Sequence, residues 1–209
     1  MTVLILSETY DIHAQAVMEA LRERGSQVEL LDLSEFPTRL SLSMEFRESD
    51  RRFELTRRSG GSLDLSSIRS VWWRRPQPIR LPSDMLPVHR QFASSEANTA
   101  FCGLWQSMRA RWINVPARDS SAAHKPYQLA LAQEIGLQIP ETLMTNNASE
   151  ASAFWRRHEG EVIHKQFVAK EGTWRETRRL SKYDEEHLAS VNHAPVSFNG
   201  MFPQLLIYE

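Results

Sequence analysis

Four short segments decide the fold: Asn114-Val115-Pro116, His124-Lys125-Pro126-Tyr127-Gln128-Leu129, Gly136-Leu137-Gln138-Ile139-Pro140-Glu141-Thr142 and Val162-Ile163-His164-Lys165. The first is a short strand that ends in a turn, and the second lies in a helix predicted over 121–135, which Gly136 ends. The other two are apolar runs typical of strands, over 139–145 and 162–168, with a helix predicted over 148–157 between them. The segments therefore predict alternating helices and strands, with one lysine on a helix and one on a strand.

The chain before these segments begins as an α/β unit. Residues 2–7 form an apolar run typical of a buried parallel strand, Asp11 caps the helix that follows, and residues 28–31 predict a second strand. We expect the apolar face of this helix to consist of Ile12, Val17, Ala20 and Leu21. The turn at 7–11 contains no glycine, so the G-x-G-x-x-G fingerprint of dinucleotide-binding folds is absent.

Residues 40–73 have the pattern of short strands. Apolar and polar residues alternate over 40–46 and 52–56, which is typical of half-exposed antiparallel strands, and Ser59-Gly60-Gly61-Ser62 is a turn signal. Residues 68–73 predict another buried strand. The fold class predicted for this region is therefore α/β, with a mixed sheet that carries a hairpin insertion.

Residues 83–112 are the longest helical candidate, with Pro87 in the first turn, where its missing N–H costs little. The predicted core-facing stripe consists of residues at three- and four-residue steps: Phe92, Ala97, Ala100, Phe101, Leu104, Trp105 and Met108. We expect Cys102, which has apolar neighbours, to be a small buried core residue rather than a nucleophile. A short strand then leads to a domain boundary near Pro116.

The composition excludes several classes of protein. The chain has 209 residues with 25 basic and 26 acidic side chains, so no overall field draws in nucleic acid or an anionic membrane. A single cysteine excludes an intrachain disulfide framework. No stretch approaches the roughly 20 apolar residues of a membrane helix, and the N-terminus lacks a signal peptide, so we expect a cytoplasmic protein. No histidines have zinc-ligand spacing, so no metal site is assigned, and we expect the six tryptophans to pack in the core.

In this order, the four opening segments resemble the ATP-grasp superfamily where its central subdomain begins. Asp11-Ile12-His13, Phe36-Pro37-Thr38 and Val71-Trp72-Trp73-Arg74-Arg75-Pro76 resemble the pre-ATP-grasp domain of the maturases that form lactone and lactam links in microviridin-type peptides. The likeness extends from Val3 to about Gln204. It implies a pre-ATP-grasp domain over 1–116 and, over 117–209, the N-terminal part of an ATP-grasp nucleotide-binding domain.

The resemblance implies ATP and Mg²⁺ as cofactors. The residues expected to contact ATP are Lys125 and Lys165 at the phosphates, Gly172 in a loop that closes over them, and the backbone near Gln204, Leu206 and Ile207 at the adenine. Compact ammonium charges suit polyphosphate, and the first turn of a helix adds free N–H groups beside Lys125. Two alternatives stay open: Lys125 is a solvated surface charge, and Lys165 faces solvent instead of a polar cleft. The cleft is favoured because an unpaired charge against a core is costly.

In the family, a carboxylate is phosphorylated to an acylphosphate that an amine, hydroxyl or thiol attacks, and in this branch the substrate is a precursor peptide recognised through its leader. Arg74 and Arg75 are the candidate substrate-binding residues, although an ion pair with Glu45, Asp64 or another carboxylate is the favoured interpretation. No catalytic residue is assigned, and the magnesium ligands are expected beyond Glu209, so the chain is interpreted as an incomplete ligase. The alternatives are a non-catalytic peptide- or nucleotide-binding module, with a homodimer as a possible assembly, and an unrelated α/β protein.

Overall fold

The computed structural model describes residues 2–167 and 176–201. The chain divides into two compact units, residues 1–119 and residues 120–209, and each is described by itself. A helix, Pro116–Ala122, spans this division. The functional domains expected over 1–116 and 117–209 stay a prediction.

The first unit contains seven strands and two long helices among its described residues. In chain order these are β1 (Thr2–Leu6), α1 (Ile12–Glu23), β2 (Gln27–Leu31), β3 (Leu40–Phe46), β4 (Arg51–Arg57), β5 (Ser62–Asp64), β6 (Ile68–Trp73), α2 (Pro87–Ser107) and β7 (Arg111–Ile113), before α3 (Pro116–Ala122). The strands β2-β1-β6-β7 form one sheet, and all of its pairs are parallel. Since α1 leads outward from β1 to β2 and α2 leads from β6 to β7, the direction of chain progression reverses between β1 and β6.

The predicted hairpin is a separate sheet of the first unit. The strands β3-β4-β5 pair antiparallel, with Leu42 opposite Leu55 and Leu55 opposite Leu63. Leu55 and Leu63 are buried in the same core as Leu4 of the parallel sheet. The predicted α/β class with parallel and antiparallel strands is therefore confirmed, and the two kinds of strand lie in separate sheets.

Helix α1 begins after Asp11, as predicted, but its buried face is different. Ala14 is fully buried against the sheet, and Met18 and Leu21 pack in the same cluster, which is a three- to four-residue spacing along one stripe. Ile12 is 71% exposed, because it lies in the first turn on the outer side of the helix. The prediction of a face through Ile12 and Val17 is wrong, since apolarity alone does not tell which stripe meets the sheet.

Helix α2 contacts the core only through its second half. Phe101, Leu104 and Trp105 are buried in the first unit's core, whereas Phe92 in the first half is 67% exposed. Cys102 is also exposed, because it follows Phe101 by about 100° around the helix and so turns away from the core. The predictions that Phe92 and Cys102 are core residues are therefore wrong.

The second unit contains one antiparallel sheet in the described residues. Its elements are α4 (Lys125–Glu134), β8 (Thr142–Thr145), α5 (Ala148–Arg157), β9 (Val162–Lys165), β10 (Arg178–Arg179), α6 (Lys182–Glu186) and β11 (Val196–Gly200). The sheet order is β10-β9-β11-β8. Helix α5 packs on one face of this sheet through Phe154 and Trp155, which share a core with Val162 and Phe198.

The helix predicted over 121–135 is interrupted before Lys125. Pro126 has no N–H to donate into a preceding turn, so the chain ends α3 at Ala122 and begins α4 afresh, with proline in its first turn. The strand predicted over 139–145 begins only at Thr142, after Pro140. The strand β11 was not predicted at all, and it lies between β8 and β9.

Candidate functional site

Lys125 is the first residue of α4, and it connects this helix to the strand that carries the second lysine. Its side chain is half-buried, and its ammonium Nζ donates a hydrogen bond to the carbonyl oxygen of Phe167 at 2.8 Å. Phe167 follows the last residue of β9, Lys165, by two positions. The first turn of α4 therefore lies beside the chain that leaves β9, and the structure brings Lys125 to the end of the strand of Lys165.

Lys165 lies on the sheet face opposite α5. Alternate residues of a strand point to opposite faces, so Val162 and Lys165, three residues apart, belong to different faces. Val162 is fully buried in the α5 core. Lys165 is half-buried and pairs across the ladder with Ser197 of β11. We call the surface of the sheet that bears Ile163, Lys165, Ser197, Asn199 and Thr142 the lysine face.

The lysine face carries a short chain of polar contacts. Ser197 and Asn199 are buried there, at 2% and 5% exposure. The Nδ2 of Asn199 donates to the Thr142 hydroxyl at 2.7 Å, and that hydroxyl donates to the Pro140 carbonyl at 2.9 Å. The other amide atom of Asn199, Oδ1, is buried and has no hydrogen-bond partner among the residues that the structure describes. Asn199 is not among the residues predicted from the sequence, because β11 is not predicted, although the alternation after Pro195 is a signal for a strand.

The remaining residues predicted to contact a nucleotide lie outside the part of the chain that the structure describes. These are Gly172, Gln204, Leu206 and Ile207. Their roles stay predictions.

The candidate substrate residues Arg74 and Arg75 follow β6 directly. Both backbone N–H groups donate to the Leu6 carbonyl at 3.1 Å, which fixes the turn at the end of β1. The Arg74 Nε lies 3.2 Å from the Asp11 carboxylate without hydrogen-bond alignment, so the contact is one of opposite charges. The favoured ion pair is thus present for Arg74, with Asp11 as its partner. Arg75 is exposed and has no ion pair with a described residue.

Asp11 has a second role in this part of the first unit. Its buried carboxylate accepts hydrogen bonds from the Ser7 hydroxyl at 2.7 Å and from the backbone of His13 and Ala14, as the N-cap of α1. Burial alone would raise the pKa of the Asp11 carboxyl. The hydrogen bonds from Ser7, Ala14 and His13, with the charge of Arg74, outweigh burial and lower that pKa below its usual value.

The ends of β1 and β6 are the place where a ligand is expected in a sheet of this topology. In open parallel sheets, ligands bind beyond the carboxyl ends of the strands where the direction of chain progression reverses. The residues after these two strand ends are Ser7 to Asp11 and Arg74 to Pro76, with Tyr10 85% exposed. The exposed guanidinium of Arg75 therefore lies at a position suited to an anionic group.

The described residues also bear on metal binding, membrane spans and the packing of the tryptophans. Within residues 2–167 and 176–201, no group of three His, Cys, Asp or Glu side chains is arranged to hold a metal ion. No described helix combines the length and apolarity needed to span a bilayer. The five described tryptophans all pack in or against hydrophobic clusters, as predicted, and they are Trp72, Trp73, Trp105, Trp112 and Trp155.

Comparison with known structures shows similarity to peptide-modifying ligases. The macrocyclase MdnC from Microcystis aeruginosa MRC, solved with the precursor peptide MdnA, superposes with a TM-score of 0.87 at 25% identity, over 98% of this chain and 66% of MdnC. The macrocyclase MdnB from the same organism gives a TM-score of 0.83 at 31% identity, over 97% of this chain and 68% of MdnB. A RiPP-associated ATP-grasp ligase from Chryseobacterium gregarium was solved with ADP and a leader and core peptide. It gives a TM-score of 0.80 at 25% identity, over 95% of this chain and 62% of that ligase.

The chain spans less than two thirds of the length of MdnC and of the Chryseobacterium ligase. No curated protein matches it. The family model described as the MvdD pre-ATP grasp domain matches residues 2–120, more than half of the chain. The resemblance and the fold class predicted from the sequence are confirmed, and the chain belongs to the MvdD pre-ATP-grasp family of ATP-grasp maturase-like proteins.

Proposed function

We propose that this protein is an ATP-dependent ligase-like protein, of the kind that joins side chains of a ribosomal precursor peptide through lactone or lactam links. The observation that carries the proposal is the contact of Lys125 with the Phe167 carbonyl, because it brings the Lys125 ammonium to the end of β9, the strand whose last residue is Lys165. Two cations on rigid elements suit a polyphosphate, which needs charge stabilisation more than covalent assistance.

The residues of the second unit fit the phosphates of ATP. A helix N-terminus presents free N–H groups and a partial positive charge, so the first turn of α4 favours the same oxygens as the Lys125 ammonium. Lys165 adds a charge from the lysine face of the sheet. Mg²⁺ is proposed to accompany ATP, but the described residues contain no set of ligands for it. No step is assigned to the metal.

The proposed reaction has two balanced steps. An oxygen of the substrate carboxylate forms a bond to the γ-phosphorus of ATP while that phosphorus loses its bond to the bridging oxygen, which departs with ADP. A side-chain amine or hydroxyl of the same peptide then bonds to the acyl carbon, phosphate leaves, and the nucleophile gives up one proton to solvent. The protein contributes mainly positioning and electrostatics.

The proposal for the substrate is based on the peptides bound to the similar proteins. MdnC was solved with a precursor peptide, and the Chryseobacterium ligase with a leader and a core peptide. We carry this partner over as a precursor peptide recognised through its leader. Arg75, exposed at the ends of β1 and β6, is proposed to bind a carboxylate of the peptide, and Arg74 to shape the turn beside it while paired with Asp11. The bounds 1–116 and 117–209 are proposed as the substrate and nucleotide domains.

Calorimetric titration of the 209-residue chain with Mg·ATP tests the proposal. Lys125→Ala and Lys165→Ala should each weaken binding at least tenfold, the loss of about one charge-assisted contact. The matched control is Lys182→Ala, an exposed lysine of α6, which should bind like the wild type. Wild-type affinity in both site variants would contradict the proposal. Binding of a leader peptide without nucleotide binding would favour the non-catalytic module. Light scattering tests whether the chain forms the homodimer considered for that module.

A further inference from the structure

The tip of the β3-β4 hairpin extends beyond the core that the rest of the hairpin covers. Phe53 and Leu55 are buried in that core, and Met44 lies opposite Phe53 in the ladder. Phe46 and Arg51 form the next pair toward the tip on the same face, because alternate residues of a strand point to the same side. Phe46 is 68% exposed. The core-facing side of the hairpin therefore continues outward as an uncovered surface with an aromatic ring and a guanidinium group.

This uncovered surface forms one wall of an open groove within the first unit, which we call the hairpin groove. Its volume is about 390 Å³, and its walls include Phe46, Arg47, Asp50 and Arg51 of the hairpin and Arg109 of the loop between α2 and β7. Sites for small ligands commonly have volumes of about 300–1,000 Å³. The groove is therefore large enough for a few side chains of a bound segment.

Two arginines of the hairpin are already neutralised by glutamates. The Arg47 Nη2 lies 2.8 Å from the Glu45 carboxylate. Arg52, which points to the opposite face from Arg51, lies 2.8 Å from the Glu54 carboxylate. The outer face of the hairpin tip consequently has balanced charges, and these two arginines offer little attraction to a further anion.

The other two arginines at the groove are not neutralised. Arg51 and Arg109 are exposed, and neither has an ion pair within residues 2–167 and 176–201. The Arg51 guanidinium lies 5.8 Å from the centroid of the Phe53 ring, a contact that holds its position without using its N–H donors. The Asp50 carboxylate accepts the backbone N–H of Arg51 at 2.8 Å. With Asp50 taken into account, the groove still has an excess of positive charge beside an exposed ring.

We propose that the hairpin groove binds an acidic peptide segment, with an aromatic or aliphatic side chain packed on Phe46 and neighbouring carboxylates paired with Arg51 and Arg109. Guanidinium groups bind carboxylates through two parallel hydrogen bonds, and the exposed ring offers apolar area between them. The carboxylates of Asp50 and Glu45 would repel the successive phosphates of a nucleic acid, which favours a peptide. The groove lies entirely in the first unit, and its binding needs no nucleotide.

Fluorescence anisotropy of the 209-residue chain without nucleotide tests the proposal. The probe is a labelled synthetic peptide with a phenylalanine flanked on both sides by aspartates. Companion probes replace the aspartates by asparagines or the phenylalanine by serine. We expect each companion to bind about tenfold more weakly than the probe, since one loses the ion pairs and the other the apolar contact. Higher ionic strength should weaken binding of the acidic probe and leave the asparagine peptide unaffected.

Variants of the groove locate the binding. Arg51→Gln and Arg109→Gln should each weaken binding of the acidic probe by about three- to fivefold, the effect of one exposed ion pair. Phe46→Ser should remove the preference for phenylalanine over serine in the peptide. Arg52→Gln is the matched control: it removes the same charge from the next residue but on the opposite face, and it should bind like the wild type. Thermal unfolding shows whether each variant is folded, and Arg109→Gln, which changes an exposed loop residue, carries the test if Phe46→Ser is not.

Several outcomes would overturn the proposal. Absence of binding to the acidic probe, or equal binding of the asparagine peptide, would exclude recognition of carboxylates. An equal loss in Arg52→Gln and Arg51→Gln would show attraction by overall charge and not by the groove. Tighter binding of an oligonucleotide or of tripolyphosphate would assign the arginines to phosphates. Self-association that is lost in Phe46→Ser, measured by light scattering, would assign the groove to a second copy of the chain. None of these outcomes bears on ATP binding, which the calorimetric titration tests separately.

Discussion

The ammonium of Lys125 and the carbonyl oxygen of Phe167 are joined by a hydrogen bond of 2.8 Å, which links the start of α4 to the chain just beyond β9. A carbonyl oxygen carries only a partial negative charge, whereas the oxygens of a phosphate share a formal negative charge. The ammonium therefore gains more from a phosphate than from Phe167, and we expect it to exchange one for the other when a polyphosphate binds.

Lys125→Met tests this exchange by separating stability from affinity. Methionine keeps much of the length and removes the charge, so the loss of one half-buried hydrogen bond should lower the free energy of unfolding by only about 0.5–1.5 kcal/mol. The affinity for Mg·ATP should fall by tenfold or more, because a charged contact is lost. Urea unfolding and calorimetry measure the two effects, with Lys182→Met as the control. A variant that loses stability and keeps its affinity would show that Lys125 is structural.

Asp11 should be the most sensitive carboxylate in the first unit. Asp11→Ala removes the N-cap of α1 and leaves the Arg74 guanidinium without its partner, so we expect a loss of about 2–4 kcal/mol in the free energy of unfolding. Asp11→Asn keeps a capping oxygen and should lose less. Asp64→Ala, which removes the exposed cap of the 3-10 helix Leu65–Ser67, is the matched control and should cost about 1 kcal/mol or less. Equal losses for Asp11→Ala and Asp64→Ala would rule out a special role for Asp11.

The lowered pKa of Asp11 predicts the pH dependence of that loss. The pKa of the Asp11 carboxyl is lower in the folded state than in the unfolded chain. In the pH range where Asp11 titrates, the unfolded chain therefore binds more protons. The stabilisation is therefore complete above the ordinary aspartate pKa of about 3.9 and is lost as the pH falls through the lower folded pKa. Urea unfolding of wild type and Asp11→Asn between about pH 6 and about pH 3 should show the two stabilities converging at low pH. A constant difference would contradict the assignment.

The sequence predicted best the elements whose signals are local. Helix α5 has the predicted bounds, 148–157, because Asn147 caps it and its apolar residues recur at helical spacing. Strand β6 likewise matches its apolar run at 68–73. The buried faces of α1 and α2 were predicted less well, since several stripes of each helix carry apolar residues and only tertiary packing decides which one is covered.

The candidate site depended more on tertiary structure than the fold did. Lys125 and Lys165 were found from ordered motifs, but the contact at Phe167 requires α4 to meet the end of β9, which no local pattern specifies. Asn199 required the register of β11 between two other strands. Arg74 was expected to form an ion pair, yet its partner Asp11 is brought to it only by the adjacent ends of β1 and β6.

Gly200 should be intolerant of a side chain because the ring of His158 occupies the space that a Cβ atom needs. A Cβ at Gly200 would lie 2.5 Å from the ring carbon Cε1. The ring cannot simply withdraw, since it packs on Phe154 at 4.3 Å between centroids and its Nε2 lies 3.2 Å from the Glu141 carboxylate. Gly200→Ala should therefore lower the free energy of unfolding by about 1–3 kcal/mol.

The companion variant His158→Ala removes the ring and should cancel most of the cost of Gly200→Ala, so the double variant is more stable than additivity predicts. Gly103→Ala in α2 is the control: nothing lies within 4 Å of its Cβ position, and alanine should stabilise the helix by about 0.5–1 kcal/mol. Urea unfolding of the four proteins of the cycle measures the coupling. Strict additivity would mean that the cost of Gly200→Ala comes from the backbone conformation and not from His158. We expect the opposite, because Gly200 is not among the glycines with a positive φ and its backbone conformation is therefore open to alanine.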